Sequence, residues 1–541
     1  MGEVAPGLVP AGSLWAWLGE HRGSLFPEES FADMFPSGLG RRSYPGPVMA
    51  MVLLLQAMEG LSDRDAVERL AYDLRWKTAC GLGVDVPAPD HSLLVVWRSR
   101  IAASSDPDRI WHAVDRVVAS CGVLRGKKRR VVDSTVVDDA VARQDTVRLL
   151  VWQVHRVRDL LPDLAPWIDC LPGRAWYADR LKPDIDWSSA EAKQDLVTVL
   201  VNDALAVVQR ATAWLDAHGC DQVEAVRDQV GLLALLAGQD VEMVEGSTEQ
   251  HPRWRVARKV AEDRVISVVD TQARHVRKSR ASKRDGYKAH LMAEPDNGVI
   301  VAAGASTGTG PQSSDATVAV TMLTGRPPDL EPDSQTDTAA QDEHTTTSGT
   351  AAASRLVAGV EQVGGDSAYC SAAMLATCDA LGIVPLVKPR PLHLAVAGGI
   401  SIDDFDVDTD ASTARCPGGF TVTRSPAGTA DFTDHCHRCV LRPECTTARD
   451  GRKVRLGPEQ LRAARHRADA EDPTFQAEYK QHRPKVERSL AWLLRPGRRT
   501  PYRGLTKTDA WIKRRAAAVN LKLLHTMGLT RQDGQWTLAA A

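Results

Sequence analysis

The sequence has few cysteines, no excess of either charge and no long apolar run. Ten cysteines in 541 residues exclude the small disulfide scaffold of secreted mini-domains. Sixty-seven Lys and Arg stand against 69 Asp and Glu, a formal net charge of −2. That balance excludes a uniformly basic coat or histone-like protein. It leaves a nucleic-acid partner open, because local patches decide binding more than the sum does. The longest apolar stretch, Met49 to Leu55, falls far short of the roughly 20 residues that span a bilayer. The opening residues lack a basic leader followed by an apolar segment. A cytoplasmic protein with no membrane partner is expected.

What is present is ordinary globular material, 43% hydrophobic and 25% charged. The length suits three or four domains, or one core with large insertions. Residues 1–120 read as a helical N-terminal domain. PGPVMAMVLLLQAMEG is an apolar helix ending at Gly60, and Ser62 stands three residues before Asp65, as in a capping box. PDHSLLVVWRSRI repeats a polar cap before an apolar helix. Such short consecutive helices suit a helix-turn-helix-like DNA-binding module; a plain helical bundle is the alternative.

Residues 121–392 change character. Five bases (Arg125, Lys127, Lys128, Arg129, Arg130) precede a β-branched strand that holds Asp133. Residues 145–250 read as amphipathic helices. Strands are expected in DRVISVVD, GYKAHLMAE and NGVIVAAGAST, a helix over 312–323, and a strand, helix and strand from VEQVGGDSAY to IVPLVKPR. Residues 326–353 carry six acids and one base, the composition of a disordered linker. A Cys-bearing stretch covers 393–480, and 481–541 is helical and basic. This order predicts an α/β protein: a mixed sheet with helices, interrupted by a helical insertion and a Cys-rich insertion.

Three acids stand out. Asp133 lies inside a strand, where Asp is depleted. Asp366 ends a later strand, in VGGDSAYCS, and Glu487 lies on a late helix, in HRPKVERSLAWLLR. A buried carboxylate is costly unless it is paired or binds metal. Converging carboxylates can hold two Mg²⁺ ions roughly 4 Å apart, which clamp the attacking and leaving oxygens of a phosphodiester. A lone Asp at a strand end is otherwise a turn former or cap, and Asp138, Asp139, Asp270, Asp315 and Glu478 are nearby competitors.

Two runs are basic. Residues 483–515 hold eleven Lys and Arg against two acids, with Trp492, Tyr502 and Trp511 interleaved; residues 253–288 hold twelve against four. Such runs suit phosphate contacts and base stacking, or else a solvated face. Cys416, Cys436, Cys439 and Cys445 crowd together with a C-x2-C pair, which suits one structural Zn²⁺; reduced structural cysteines are the alternative. Cys80, Cys121, Cys170, Cys220, Cys370 and Cys378 lack such spacing and are expected in the core.

Taken together, the segments FADMFPSGLGRRSYPGPVMAMVLLLQAMEG, VVDSTVVDDAVARQDTVRLL, RHVRKSRASKRDGYKAHLMAE, VGGDSAYCSAAMLATCDALGI and RPKVERSLAWLLRPGRRTPYRG resemble the DDE transposases of bacterial insertion sequences. The likeness covers about residues 25 to 525. It is greatest to the branch with a helical insertion after the first Asp and a Cys-containing segment before the Glu. The resemblance implies an RNase H-like core, with Asp133, Asp366 and Glu487 holding two Mg²⁺ or Mn²⁺ ions. It implies a nucleoid-associated enzyme that cuts its element's ends and joins them to target DNA as a homodimer or higher oligomer. Arg483 fits the Arg expected four residues before the Glu. Tyr479 is displaced by one from its expected place, and Leu494, followed by Arg495, stands where a Lys is expected. DNA contacts are expected from Lys278, Arg284, Lys288, Arg483, Lys485, Arg488, Arg495, Arg498 and Arg499. An RNase H-like nuclease and an inactive DNA-binding relic or regulator are the alternatives.

Overall fold

The fold is taken from a computed structural model, which describes residues 7–35, 43–180, 182–218, 223–248, 250–259, 261, 263–277, 283–326, 328, 359–392 and 394–539. Most of the acidic segment 326–353 lies outside the described residues.

The N-terminal helices form where the sequence places their signals. Gly46–Glu59 starts behind Pro45, with Pro47 in its first turn. It stops at Gly60, whose left-handed φ of 71° suits glycine. Thirteen of its residues, Gly46 to Met58, are buried, so it is a core helix with no free face. The capping box forms: Ser62 Oγ accepts from the Asp65 N–H, and the Ser62 N–H donates to the Asp65 carboxylate. Helices Ser92–Ala102 and Arg109–Ser120 follow.

The chain then enters β1 (Arg129–Asp138). Long helices Thr146–Leu160, Ala190–Ala217 and Val223–Gln239 come next, then a hairpin of β2 (Val241–Met243) and β3 (Trp254–Val256). The main sheet resumes with β4 (Arg274–Arg277), β5 (Lys283–Ala293) and β6 (Ile300–Thr307). Helix Asp315–Thr324 follows, and β7 (Gln362–Gly365) and β8 (Val384–Val387) complete the sheet around helix Ala372–Leu381.

The strand order is β4-β5-β1-β7-β8, with β6 also on β5. β5 runs antiparallel to β1, pairing Leu291 with Asp133, while β7 and β8 run parallel to β1 and to each other. The sheet is mixed, as expected. Gly286 is required where β5 crosses the end of β1: its φ is 145°, and a Cβ there would lie 2.1 Å from the Val137 carbonyl oxygen.

Segment 263–270 is not the strand its β-branched pattern predicts. It is an irregular buried run, and its backbone is satisfied by side chains instead of a strand partner: Val265 N–H donates to Gln239 Oε1 (3.0 Å) and Val268 N–H to Gln144 Oε1 (2.9 Å). Two glutamines thus meet the demand that every buried amide be paired.

Three apolar clusters form. The largest joins the N-terminal helices, the sheet and the late helix Leu505–Thr526. A second lies among the long helices of 146–239. A small third one spans Phe405 to Leu456, where five three-residue strands replace the irregular chain expected there. Of the scattered cysteines, Cys80, Cys121, Cys370 and Cys378 are buried. Cys170 is exposed, because it follows the short helix Ala165–Ile168 at the surface; Cys220 lies outside the described residues. Among the described residues one helix, Ala190–Ala217, is long and apolar enough to cross a membrane by length and composition. Its buried residues pack into the second cluster.

Helix Leu505–Thr526 binds the N-terminal helices to the sheet. Asn520 accepts from the Ile300 N–H (2.9 Å) and donates to the Ile300 carbonyl (2.7 Å). Lys513 donates to Asp108 (2.6 Å) and pairs with Asp509 (2.7 Å), which accepts the Ala305 N–H (2.7 Å).

Candidate carboxylate site

Parallel pairing of β1 with β7 sets Val131 beside Gly364. Two residues further along each strand stand Asp133 and Asp366. Asp133 is buried within the sheet, and one carboxylate oxygen accepts the Ser134 N–H (2.9 Å). Asp366 sits just past the end of β7 and caps the turn Ser367–Tyr369 by accepting the Ala368 N–H (2.9 Å).

Helix Pro473–Leu494 crosses this edge. Its Arg483 donates from Nη1 to Asp133 Oδ2 (2.9 Å) and holds Nη2 3.7 Å from Asp366 Oδ2. Pro484 follows directly and lacks an amide hydrogen, so the helix misses one backbone bond beside the site. Burial pushes the Asp133 carboxyl above its ordinary range, Arg483 opposes this, and the Asp366 charge adds to the rise. One guanidinium thus offsets the repulsion between the two carboxylates.

Glu487 lies one turn beyond Arg483 and is exposed. It has no hydrogen-bond or ion-pair partner among the described residues. Asp133 and Asp366 therefore come together, and Glu487 does not join them. Among the described residues no group of three or more His, Cys, Asp or Glu side chains is arranged to hold a metal ion.

The competing acids are engaged elsewhere. Asp138 pairs with Arg284 (2.9 Å), Asp315 with Lys288 (3.3 Å), and Glu478 with Arg129 (3.5 Å). Asp270 accepts from the Tyr287 hydroxyl (2.6 Å) and the Gly504 N–H (3.1 Å). Asp139 is buried, and burial with the nearby Asp285 charge pushes it up to about 6.

The face of the sheet opposite Arg483 carries a second polar cluster. His290 is 2% exposed; its Nε2 bonds Ser306 Oγ (2.8 Å), and its Nδ1 lies 3.7 Å from Asp315. Burial holds His290 down to about 4, so it is neutral near pH 7.

The expected DNA contacts divide. Lys278 lies outside the described residues. Arg284 and Lys288 are paired as above, and Lys485 is paired with Asp296 (2.9 Å). Arg488 stacks on Trp492 (5.1 Å), and Arg495 is exposed. Arg498 donates to Thr135 Oγ1 (2.8 Å) and the Val136 carbonyl (2.9 Å), and Arg499 donates to the Asp139 carbonyl (2.9 Å). Arg483, Arg498 and Arg499 thus follow β1 away from the carboxylates.

The four clustered cysteines line one cavity of about 20 Å³, room for a single water-sized occupant. The Arg452 N–H donates to Cys436 Sγ (3.3 Å). Burial raises the Cys445 thiol, and the neighbouring Cys436 and Cys416 add to the rise. Thiols are the donor type of structural Zn²⁺ sites, but these four are not arranged here as a metal-binding group.

Tyr369 escaped the sequence reading. It is buried behind the two carboxylates, and burial, with the charges of Asp315, Asp133 and Asp366, raises its hydroxyl well above the ordinary range. Its place three residues after Asp366, at the end of the capped turn, was the available signal.

Two family models match the chain. Residues 8–100 match a transposase domain (DUF772), and residues 423–525 match a transposase DDE domain. The second match contains Cys436, Cys439, Cys445, Arg483, Glu487 and the basic run after it. Together they support an insertion-sequence DDE transposase, with transposition as its function and DNA as its substrate. No curated protein and no solved structure matches.

Proposed function

We propose that this chain cuts the ends of an insertion sequence and joins them to target DNA by two-metal phosphoryl transfer on an RNase H-like core. Asp133, Asp366 and Glu487 are the metal-binding carboxylates. The observation that carries this reading is the single guanidinium of Arg483 shared by Asp133 and Asp366. Two carboxylates that already share a cation fit Mg²⁺ or Mn²⁺, which favour oxygen donors. When bound, two such ions supply charge stabilisation to both the attacking and the leaving oxygen of a phosphodiester.

The chain's own residues orient the substrate. Asp133 is held rigid by β1 and by the Ser134 amide, and Asp366 by its turn. Arg483 neutralises the pair before ions bind. Its guanidinium, with those of Arg498 and Arg499, lies where a phosphate backbone along β1 would pass. Glu487 completes the set through movement of its helix or by DNA binding. The partners are the element's terminal inverted repeats and target DNA, engaged by a homodimer or higher oligomer on the bacterial nucleoid. The cysteine cavity holds a structural Zn²⁺.

The test is strand cleavage and strand transfer on an oligonucleotide carrying the element's own end, with Mg²⁺ or Mn²⁺. Asp133→Asn, Asp366→Asn and Glu487→Gln, each with wild-type circular dichroism, should lose both activities by at least a thousandfold. Retained cleavage in any of them removes that residue from the site. Cleavage without joined products would make the chain a nuclease.

A further inference from the structure

A cavity of about 420 Å³ opens where the long helices meet the end of β1. Its lining includes Arg143, Arg148, Arg180, Lys182 and Arg503, and no acidic residue among the described residues. All five cations are exposed, and none has a carboxylate partner among the described residues. Arg284, Lys485 and Lys513, by contrast, each have a carboxylate partner. Five cations around one cavity without a carboxylate partner make its lining positive, and an anionic occupant would be favoured there.

The wall also offers an aromatic face. Trp152, on helix Thr146–Leu160, is half-buried. Arg180 lies over its ring at 5.2 Å from the centroid. Arg180 holds this place with a left-handed φ of 55°, uncommon outside glycine.

Residues 140–144 of the lining follow β1 directly. From Asp133 to Asp138 the strand advances roughly 17 Å, at about 3.3 Å per residue. Arg498 on Thr135 and Arg499 on Asp139 stand between. Cations therefore run from the carboxylates to the cavity. Its volume is that of a small-molecule pocket and excludes a duplex.

We infer that this cavity binds a single DNA strand extending from the carboxylate site, its phosphates held by Arg148, Lys182 and their neighbours and one base set against Trp152. That ligand combines the two features present, a phosphate-seeking lining and an aromatic face. The inference rests on the proposed reaction for the strand's origin, and its test does not.

The experiment uses the full chain in magnesium-free buffer, with a labelled 12-nucleotide single strand and a duplex of equal length, followed by fluorescence anisotropy across a salt series. Arg148→Ala/Lys182→Ala should bind the single strand about tenfold more weakly. The slope of log Kd against log salt should fall by about 1.4, at roughly 0.7 per phosphate contact. Trp152→Leu should weaken the single strand about fivefold with the slope unchanged. Duplex affinity should change less than twofold in both. Unchanged single-strand affinity and slope in the double variant overturn the inference, and so does an equal loss on the duplex. Cleavage by Asp133→Asn is scored separately: if that variant still cuts, the proposed reaction fails while the binding result stands by itself.

Discussion

Arg483 and Asp133 lie 350 residues apart in sequence and share a hydrogen bond of 2.9 Å. The bond joins the late helix to the first strand, and the other arm of the guanidinium reaches Asp366 at 3.7 Å. One cation thereby moderates repulsion between two carboxylates, one on β1 and one just past the end of the neighbouring parallel strand β7.

Arg483→Ala should therefore destabilise the metal-free chain by about 1–3 kcal/mol, since a largely buried acid loses its partner. Millimolar Mg²⁺ should restore more stability to this variant than to the wild type. Urea midpoints with and without Mg²⁺ measure both effects. An equal Mg²⁺ response in the two proteins would mean that the carboxylates are not a cation site.

Asp139 gives a pH signature. Its folded pKa of about 6 exceeds the ordinary 3.8, so the folded state binds more protons between those values. Stability from this group is thus lost as pH rises through that window. Its Oδ2 is buried without a partner among the described residues. Asp139→Asn should leave stability near pH 4 unchanged and add about 1–2 kcal/mol near pH 7, after allowance for solvent screening. Urea titrations at the two pH values check this, and a gain of equal size at both would refute it.

Lys513 sits between Asp108 and Asp509. Burial opposes its charge, but the two acids outweigh that and raise the ammonium above its ordinary range. Lys513→Met leaves both acids uncompensated and should cost about 3 kcal/mol. Adding Asp509→Asn should recover part of the loss. No loss in the single variant would mean that solvent already carries these charges.

Purified chain should contain one zinc per molecule by metal analysis, and Cys436→Ser should reduce that content to near zero. Chelation should lower the melting temperature of the wild type and leave that of the variant unchanged. Zinc-free wild type with normal stability would leave the four thiols as plain packing.

Local signals were legible where short-range chemistry decides the outcome. Ser62 with Asp65, Gly60, and the β-branched run of β1 needed no tertiary information. Segment 263–270 misled because β-branched residues suit any buried extended chain. Whether they join a sheet depends on Gln144 and Gln239, more than 20 residues away. Asp133 and Asp366 were found as acids at strand positions, but their pairing depends on the register of β1 with β7. The basic cavity left no run to read, because its cations come from Arg143 to Lys182 and from Arg503. Proximity in space, with no periodicity in sequence, assembles that lining.

The placement of helix Leu505–Thr526 has a consequence for biosynthesis. Trp511, Ile512, Ala516, Ala517 and Leu521 belong to the same core as the sheet and the N-terminal helices. A segment made late thus supplies a wall of the structure that segments made much earlier need. Until helix Leu505–Thr526 has been made, the apolar faces of β6 and of Gly46–Glu59 lack their cover, and a gene copy truncated after Glu487 would encode every acid of the site but no completed core to hold them.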